Sequence, residues 1–251
     1  MSTMAGTSER HRATFPTMGT VASVFALGGG TGFDAAIDGL RDVFERWEEE
    51  FSRYRPGSPA SAIADGRLRL QDSTVLHRET YARAIEWRNR TGGAFDPHRS
   101  DGSIDLAGIV KATAMEDAGE QLRRLGWGDW CLNVGGDVLT AGSIDGRAWS
   151  VGIVHPDDRS RLWRTMTLDD GRHAVATSGT FERGEHIWRL TEGPAAGARI
   201  SQCSVAAVDI VTADVLATAI VAGGRRMAEE AAAEWDVRVL AAFEDGSVLR
   251  A

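Results

Sequence analysis

Asp214 and Thr218, one helical turn apart, carry the clearest chemical signal in this sequence. Positions four apart on a helix share a face. A carboxylate beside a hydroxyl makes a pair of hard oxygen donors suited to Mg²⁺. Main-chain carbonyls and the oxygens of a substrate diphosphate would complete an octahedron around such an ion. A simpler account makes Asp214 a helix-start residue whose charge meets the positive end of the helix dipole. Both accounts explain the aspartate, and only the metal reading uses both residues.

Several glycine-rich segments could bring backbone against a ligand. Thr91-Gly92-Gly93-Ala94-Phe95-Asp96-Pro97 sets an aromatic ring beside a carboxylate, where it could face a flat heterocycle. The same letters also read as a helix C-cap followed by an Asp-Pro turn. Ile104-Asp105-Leu106-Ala107-Gly108-Ile109-Val110-Lys111 brackets apolar residues between a carboxylate and the one lysine of the chain. It reads either as a loop lining a pocket or as a strand entering a helix with an exposed lysine. Asn133-Val134-Gly135-Gly136-Asp137 is a tight turn or a phosphate-binding nest. Thr177-Ser178-Gly179-Thr180 closes an apolar run with hydroxyls, a pattern shared by phosphate sites and ordinary turns. His186 follows shortly after, and a lone histidine is more often structural than catalytic. Gly28-Gly29-Gly30-Thr31-Gly32 precedes a helix but lacks a Gly-Lys-Ser/Thr continuation, so a plain connector is the better reading.

The elements that must position these residues alternate without a strict βαβ rhythm, which makes α+β the expected class. Thr20 to Leu27 reads as a strand. Ile37, Leu40, Phe44, Trp47 and Phe51 recur at helical spacing. Arg55-Pro56-Gly57 is a turn signal. A second helix is expected from Ser73 or Thr74 to Arg90, stopped by Gly92-Gly93, and a third from Ala112 to Leu125, before Gly126. Leu132 to Leu139, Trp149 to Val154, Arg164 to Leu168, His173 to Thr177 and Ser204 to Val211 read as strands. Ala213 to Ala222 reads as a helix closed by Gly223-Gly224, and a last helix, Arg226 to Trp235, leads into a hairpin turning at Asp245-Gly246.

The composition excludes several classes. The net charge of −8 leaves no basic face for nucleic acid. Two cysteines, Cys131 and Cys203, make no disulfide framework. No apolar run reaches membrane-spanning length. Met1 to Ala13 is polar and has no apolar signal-peptide core. A cytoplasmic protein is expected, with a disordered tail over residues 1–12 and one domain over residues 13–251.

Taken in order, these segments resemble the ApbE family of FAD:protein FMN transferases. The resemblance runs through Met18-Gly19-Thr20, Phe51-Ser52-Arg53-Tyr54-Arg55-Pro56-Gly57-Ser58, Gly92 to Pro97, Asp105 to Lys111, Asn133 to Asp137, Thr177-Ser178-Gly179, His186-Ile187 and Ala213 to Thr218. It implies a single mixed domain with antiparallel strands and flanking helices. It also implies Mg²⁺-dependent transfer of FMN from FAD to a threonine or serine of an acceptor flavoprotein, with release of AMP. Alternatives are an FAD pyrophosphatase and a non-catalytic flavin-binding protein. By the resemblance, Met18, Tyr54, Ala94, Phe95, Asp96, Ala107, Thr113 and Ile187 contact the flavin nucleotide. Asp214 and Thr218 ligate Mg²⁺ through side chains, Val110 and Ala217 through carbonyls, and His186 is the general base. The chain departs from the family pattern at Ala107 and Ala112, where glycine is usual, at Glu116, where aspartate is usual, and at Trp188-Arg189-Leu190, where Asp-Pro follows the histidine segment.

Overall fold

The computed structural model describes residues 9–30, 32–179 and 198–251. Eight strands form one antiparallel sheet, ordered β1-β2-β3-β4-β7-β8-β9-β10. They are β1 (Arg10–Thr17), β2 (Thr20–Leu27), β3 (Asp129–Val134), β4 (Asp137–Ala141), β7 (Ala174–Gly179), β8 (Ile200–Ala207), β9 (Arg238–Phe243) and β10 (Val248–Arg250). Among the described residues two further strands, β5 (Trp149–His155) and β6 (Asp158–Leu168), pair with each other in a separate hairpin. The architecture is the α+β class expected from the sequence.

Alternation along the strands gives the sheet two buried faces. Val24, Leu132, Leu139, Ala176, Cys203 and Val205 point to the helix side. Val138, Val175, Ala206 and Leu240 point the other way, where Trp149, Val151, Ile153, Met166 and Leu168 of the β5–β6 hairpin cover them. Burial on both faces explains why the central strands read as continuous apolar runs. Burial also pushes the Cys131 thiol up to about 11 and raises that of Cys203 further, so both are held as thiols.

On the helix side lie α1 (Phe33–Phe51), α4 (Ala107–Arg124) and α5 (Ile210–Glu234), with α4 packed between the other two. The expected stripe of α1 is its buried face, completed by Ala36 and Val43. The helix α3 (Val75–Arg90) starts where its cap predicts: the Thr74 hydroxyl accepts from His77 N. A short α2 (Pro59–Ala64), not anticipated, is capped by Ser58 with proline in its first turn. In α5 the Asp209 carboxylate caps the start, accepting from Thr212 N at 2.7 Å. Gly224 breaks this helix, with φ of 70°. The expected division at Gly223-Gly224 is therefore present as a kink between two helical stretches.

Other boundaries differ for identifiable reasons. β1 begins at Arg10, inside the stretch expected to be a tail, because its whole length pairs with β2 from Arg10↔Leu27 to Thr17↔Thr20. Leu132 to Leu139 is two strands, not one: Gly135 and Gly136, with φ of 59° and 99°, turn β3 back into β4. The segment 104–110 is neither loop nor strand throughout, since α4 starts at Ala107, five residues early, and Lys111 lies buried within it. β8 ends at Ala207 because Asp209 caps the next helix. No helix among the described residues is long and apolar enough to cross a membrane.

Candidate functional site

Strand directions gather the motifs at one end of the sheet. The Met18-Gly19 turn, the Gly135-Gly136 turn, the start of β4 at Asp137 and the end of β7 at Gly179 all lie there, because neighbouring strands are antiparallel. Met18 has φ of 48° and Gly19 of 70°, so the first turn is a two-residue hairpin turn with both centres left-handed. The second turn is tied to the start of β2: Gly135 N donates to Val21 O at 3.2 Å.

Helices α4 and α5 bring their side chains to the same end. The Lys111 ammonium of α4 pairs with the Asp137 carboxylate of β4. The other oxygen of Asp137 accepts from Thr177 N of β7 at 3.0 Å. The next residue, Ser178, has its hydroxyl 3.1 Å from that of Thr218 on α5. Asp214, one turn before Thr218, is only 4% exposed. Thr177 itself points to the opposite face, its hydroxyl 2.8 Å from that of Ser204.

The structure thus links Thr218 to Ser178 and, through the main chain of Thr177, to the α4–β4 ion pair, with Asp214 one turn from Thr218 on the same helix. Val110, next to Lys111, and Ala217, next to Thr218, are buried inside helices. Each of their carbonyls spends one lone pair on its own helix and keeps a second for another donor or a cation. Among the described residues no group of three or more histidine, cysteine or carboxylate side chains assembles. The Asp214 carboxylate and the Thr218 hydroxyl are hard oxygen donors, the kind that suits a hard oxygen-seeking ion.

The remaining expected residues are placed differently from one another. Tyr54 is 94% exposed, its ring open to solvent. Phe95 is 3% exposed and its ring packs on Gly108, where an added Cβ would sit 3.0 Å from the ring. That ring belongs to the core and not to an open surface. Its neighbour Ala94 is also buried. Gly92 and Gly93 close α3, with Gly93 N donating to Arg88 O at 2.8 Å, so the cap reading of this segment describes the backbone. Asp96 accepts from Arg88 at 2.9 Å and from His98 N at 2.9 Å. Burial acts to raise the Asp96 pKa, but these donors outweigh it and hold the carboxyl below its ordinary value. Ala107 is exposed at the first turn of α4. The Thr113 hydroxyl donates back to Ile109 O at 2.9 Å. His186 and Ile187 lie outside the described residues.

Of the departures, Ala112 is fully buried in the helical core and Glu116 forms a double hydrogen bond with Arg83, at 2.6 and 3.2 Å, tying α4 to α3. Asp105 sits just before α4 and accepts from Ala107 N at 3.0 Å, with the Arg99 guanidinium paired to it and Arg53 at 3.8 Å. Burial acts to raise its pKa, but the Ala107 N–H and the arginines win and the carboxyl is held low. A separate surface cavity of about 390 Å³ flanks the C-terminal half of α4, lined by Asp42, Arg46, Asp117 and Glu120 among others. It lies at the other half of that helix from Val110 and Lys111.

Sequence reasoning did not find the Lys111–Asp137 pair or the Ser178–Thr218 contact. The available signal was the solitary lysine, set among apolar residues on both sides.

Residues 98–241, more than half of the chain, match the model of the ApbE family. The chain belongs to that family. Solved structures of the same fold include the flavin transferase ApbE from Vibrio cholerae, at 20% identity and a TM-score of 0.77 over 97% of each chain. The ApbE protein from Thermotoga maritima gives the same figures, 20%, 0.77 and 97% of each chain. The flavinyl transferase ApbE from Pseudomonas stutzeri matches at 17% identity and a TM-score of 0.79, over 100% of this chain and 97% of its own. No curated protein sequence matches the chain. For this ApbE-family protein the match begins at His98, so Asp105 to Lys111, Asp137, Ser178, Asp214 and Thr218 all fall within it.

Proposed function

We propose that this protein transfers the FMN half of FAD to a threonine or serine hydroxyl of an acceptor flavoprotein, in a Mg²⁺-dependent reaction that releases AMP. The carrying observation is the buried Asp214 carboxylate one turn from the Thr218 hydroxyl, which meets Ser178 at the sheet end that also carries the Met18-Gly19 and Gly135-Gly136 turns. The flavin transferase names of the Vibrio cholerae and Pseudomonas stutzeri relatives agree with the chemistry.

Asp214 and Thr218 would hold Mg²⁺ through side-chain oxygens, with the Val110 and Ala217 carbonyls adding main-chain ligands. When bound, the ion supplies neutralisation of charge on the diphosphate. The chain's own groups supply position. The glycine turn at Gly135-Gly136 leaves room for the backbone to approach a phosphate. Tyr54 offers an exposed ring to the isoalloxazine, and the backbone of Ala94, Phe95 and Asp96 lines the approach, since the Phe95 ring is already committed to the core. Met18, Ala107, Thr113 and Ile187 complete the proposed flavin contacts.

In the transfer, the acceptor oxygen forms a bond to the FMN-side phosphorus while the bond from that phosphorus to the bridging oxygen breaks. AMP leaves with the bridging oxygen, and His186 takes the acceptor's proton. Base assistance of this kind contributes about 10²–10⁴-fold, with the rest from positioning.

The test is to incubate the protein with FAD, MgCl₂ and candidate flavoprotein domains and to weigh the acceptor by mass spectrometry. The expected result is one added FMN on a threonine or serine, with AMP in solution. Free FMN and AMP with an unmodified acceptor would instead assign the site to hydrolysis. Intact FAD under all conditions would remove the catalytic reading.

A further inference from the structure

We propose that Ser178 is a positioning residue for the metal pair: its hydroxyl oxygen accepts the Thr218 proton, so that the Thr218 lone pairs face the cation. The proposal rests on the Mg²⁺ reading above.

A hydroxyl that ligates a cation through its oxygen must direct its hydrogen elsewhere. Inside a helix the ordinary destination is the carbonyl four residues back. Thr80, Thr91 and Thr113 follow that habit, donating to Leu76 O, Trp87 O and Ile109 O at 2.8, 2.8 and 2.9 Å. Thr218 reaches off its helix instead, to a hydroxyl 40 residues away on β7, at 3.1 Å. Ser178 therefore relieves the conflict between holding a metal and hydrogen-bonding backwards.

The place of Ser178 is fixed on two sides. Its main chain lies in the ladder opposite Cys203 of β8. The residue before it donates its N–H to Asp137, which is 1% exposed and held by Lys111. A carboxylate that deep cannot swing out to water without losing its ammonium partner, so the end of β7 is anchored next to α5. The chain Lys111, Asp137, Thr177 N, Ser178, Thr218 links the carbonyl-bearing turn of α4 to the hydroxyl on α5. Groups that orient metal ligands in this way typically change affinity or activity about 10–100-fold when removed.

The experiment uses the full chain with FAD present and Mn²⁺ as a paramagnetic stand-in for Mg²⁺, reading free Mn²⁺ by electron paramagnetic resonance. Wild type is compared with Ser178→Ala, Ser178→Thr, Thr218→Val and Asp214→Ala. In parallel, Mg²⁺ is titrated into the FAD-cleavage assay. Ser178→Ala is expected to weaken Mn²⁺ binding and raise half-saturating Mg²⁺ about 10–100-fold. The activity loss should recover as Mg²⁺ rises, with the KM for FAD unmoved. Ser178→Thr, which restores a hydroxyl, should return both values toward wild type. The melting temperature of the metal-free Ser178→Ala protein should match wild type, which separates orientation from structural damage. Wild-type metal affinity in Ser178→Ala, alongside lost affinity in Asp214→Ala and Thr218→Val, would overturn the role of Ser178 and leave the metal site standing. Wild-type affinity in all of these variants would remove the metal site, and the proposal with it.

Discussion

The Lys111 ammonium meets the Asp137 carboxylate inside the protein, joining the first half of α4 to the start of β4. Their side chains are 11% and 1% exposed, so neither charge is well hydrated. Removing one partner leaves the other buried with its desolvation uncompensated, which costs about 3–5 kcal/mol. Lys111→Met is therefore expected to lower unfolding stability by that amount, measured by urea titration. Lys111→Met with Asp137→Asn should recover much of the loss, because the amide oxygen still accepts from Thr177 N and no lone charge remains. A single variant as stable as wild type would show that the pair contributes nothing to the fold.

Asp214→Ala should abolish the stabilisation that Mg²⁺ and FAD together give the wild type. A ligand at 100 times its Kd raises stability by about 2.7 kcal/mol, and the shift disappears when binding does. Thr218→Val keeps the side-chain shape and deletes one neutral ligand, so its shift should return at higher Mg²⁺. Thermal melts with and without Mg²⁺ and FAD measure both. A full ligand-induced shift in Asp214→Ala would place the cation elsewhere.

His186→Ala should leave FAD affinity near wild type and slow transfer about 10²–10⁴-fold, as expected for loss of a general base. Equilibrium flavin fluorescence and single-turnover transfer separate the two effects. Undiminished single-turnover rates would assign the proton to solvent or to the acceptor.

Asp105 gives a pH signature. Its folded-state pKa is depressed below the ordinary value of 3.8, with burial opposing and the Ala107 N–H and Arg99 prevailing. The stabilisation it contributes is therefore complete above that value and is lost as pH falls through the folded pKa. Asp105→Asn should cost about 1.5–3 kcal/mol at pH 7, the usual range for a charged hydrogen bond. The gap between variant and wild type should narrow steadily below about pH 4. A gap independent of pH would mean that shape, and not charge, is what Asp105 supplies at the start of α4.

Local signals alone carried much of this protein. The α1 stripe, the Thr74 cap, the Gly223-Gly224 break and the Asp-Gly hairpin near the C-terminus each depend on residues a few positions apart, so the amino-acid order determines them. The Asp214–Thr218 spacing is of the same kind, since one turn of helix sets it. What tertiary structure decided is everything that joins distant segments. Lys111 read either as the end of a pocket-lining loop or as an exposed lysine where a strand enters a helix, and only the packing of α4 between α1 and α5 buries it against Asp137. Phe95 read either as a ring facing a flat ligand or as part of a helix cap and Asp-Pro turn, and only the approach of Gly108 takes the ring into the core. Ser178 and Thr218 are 40 residues apart, and no periodicity in the chain records that they meet. Helix and turn propensities act over one or two turns of backbone, whereas burial and side-chain partners are fixed by which faces close on one another.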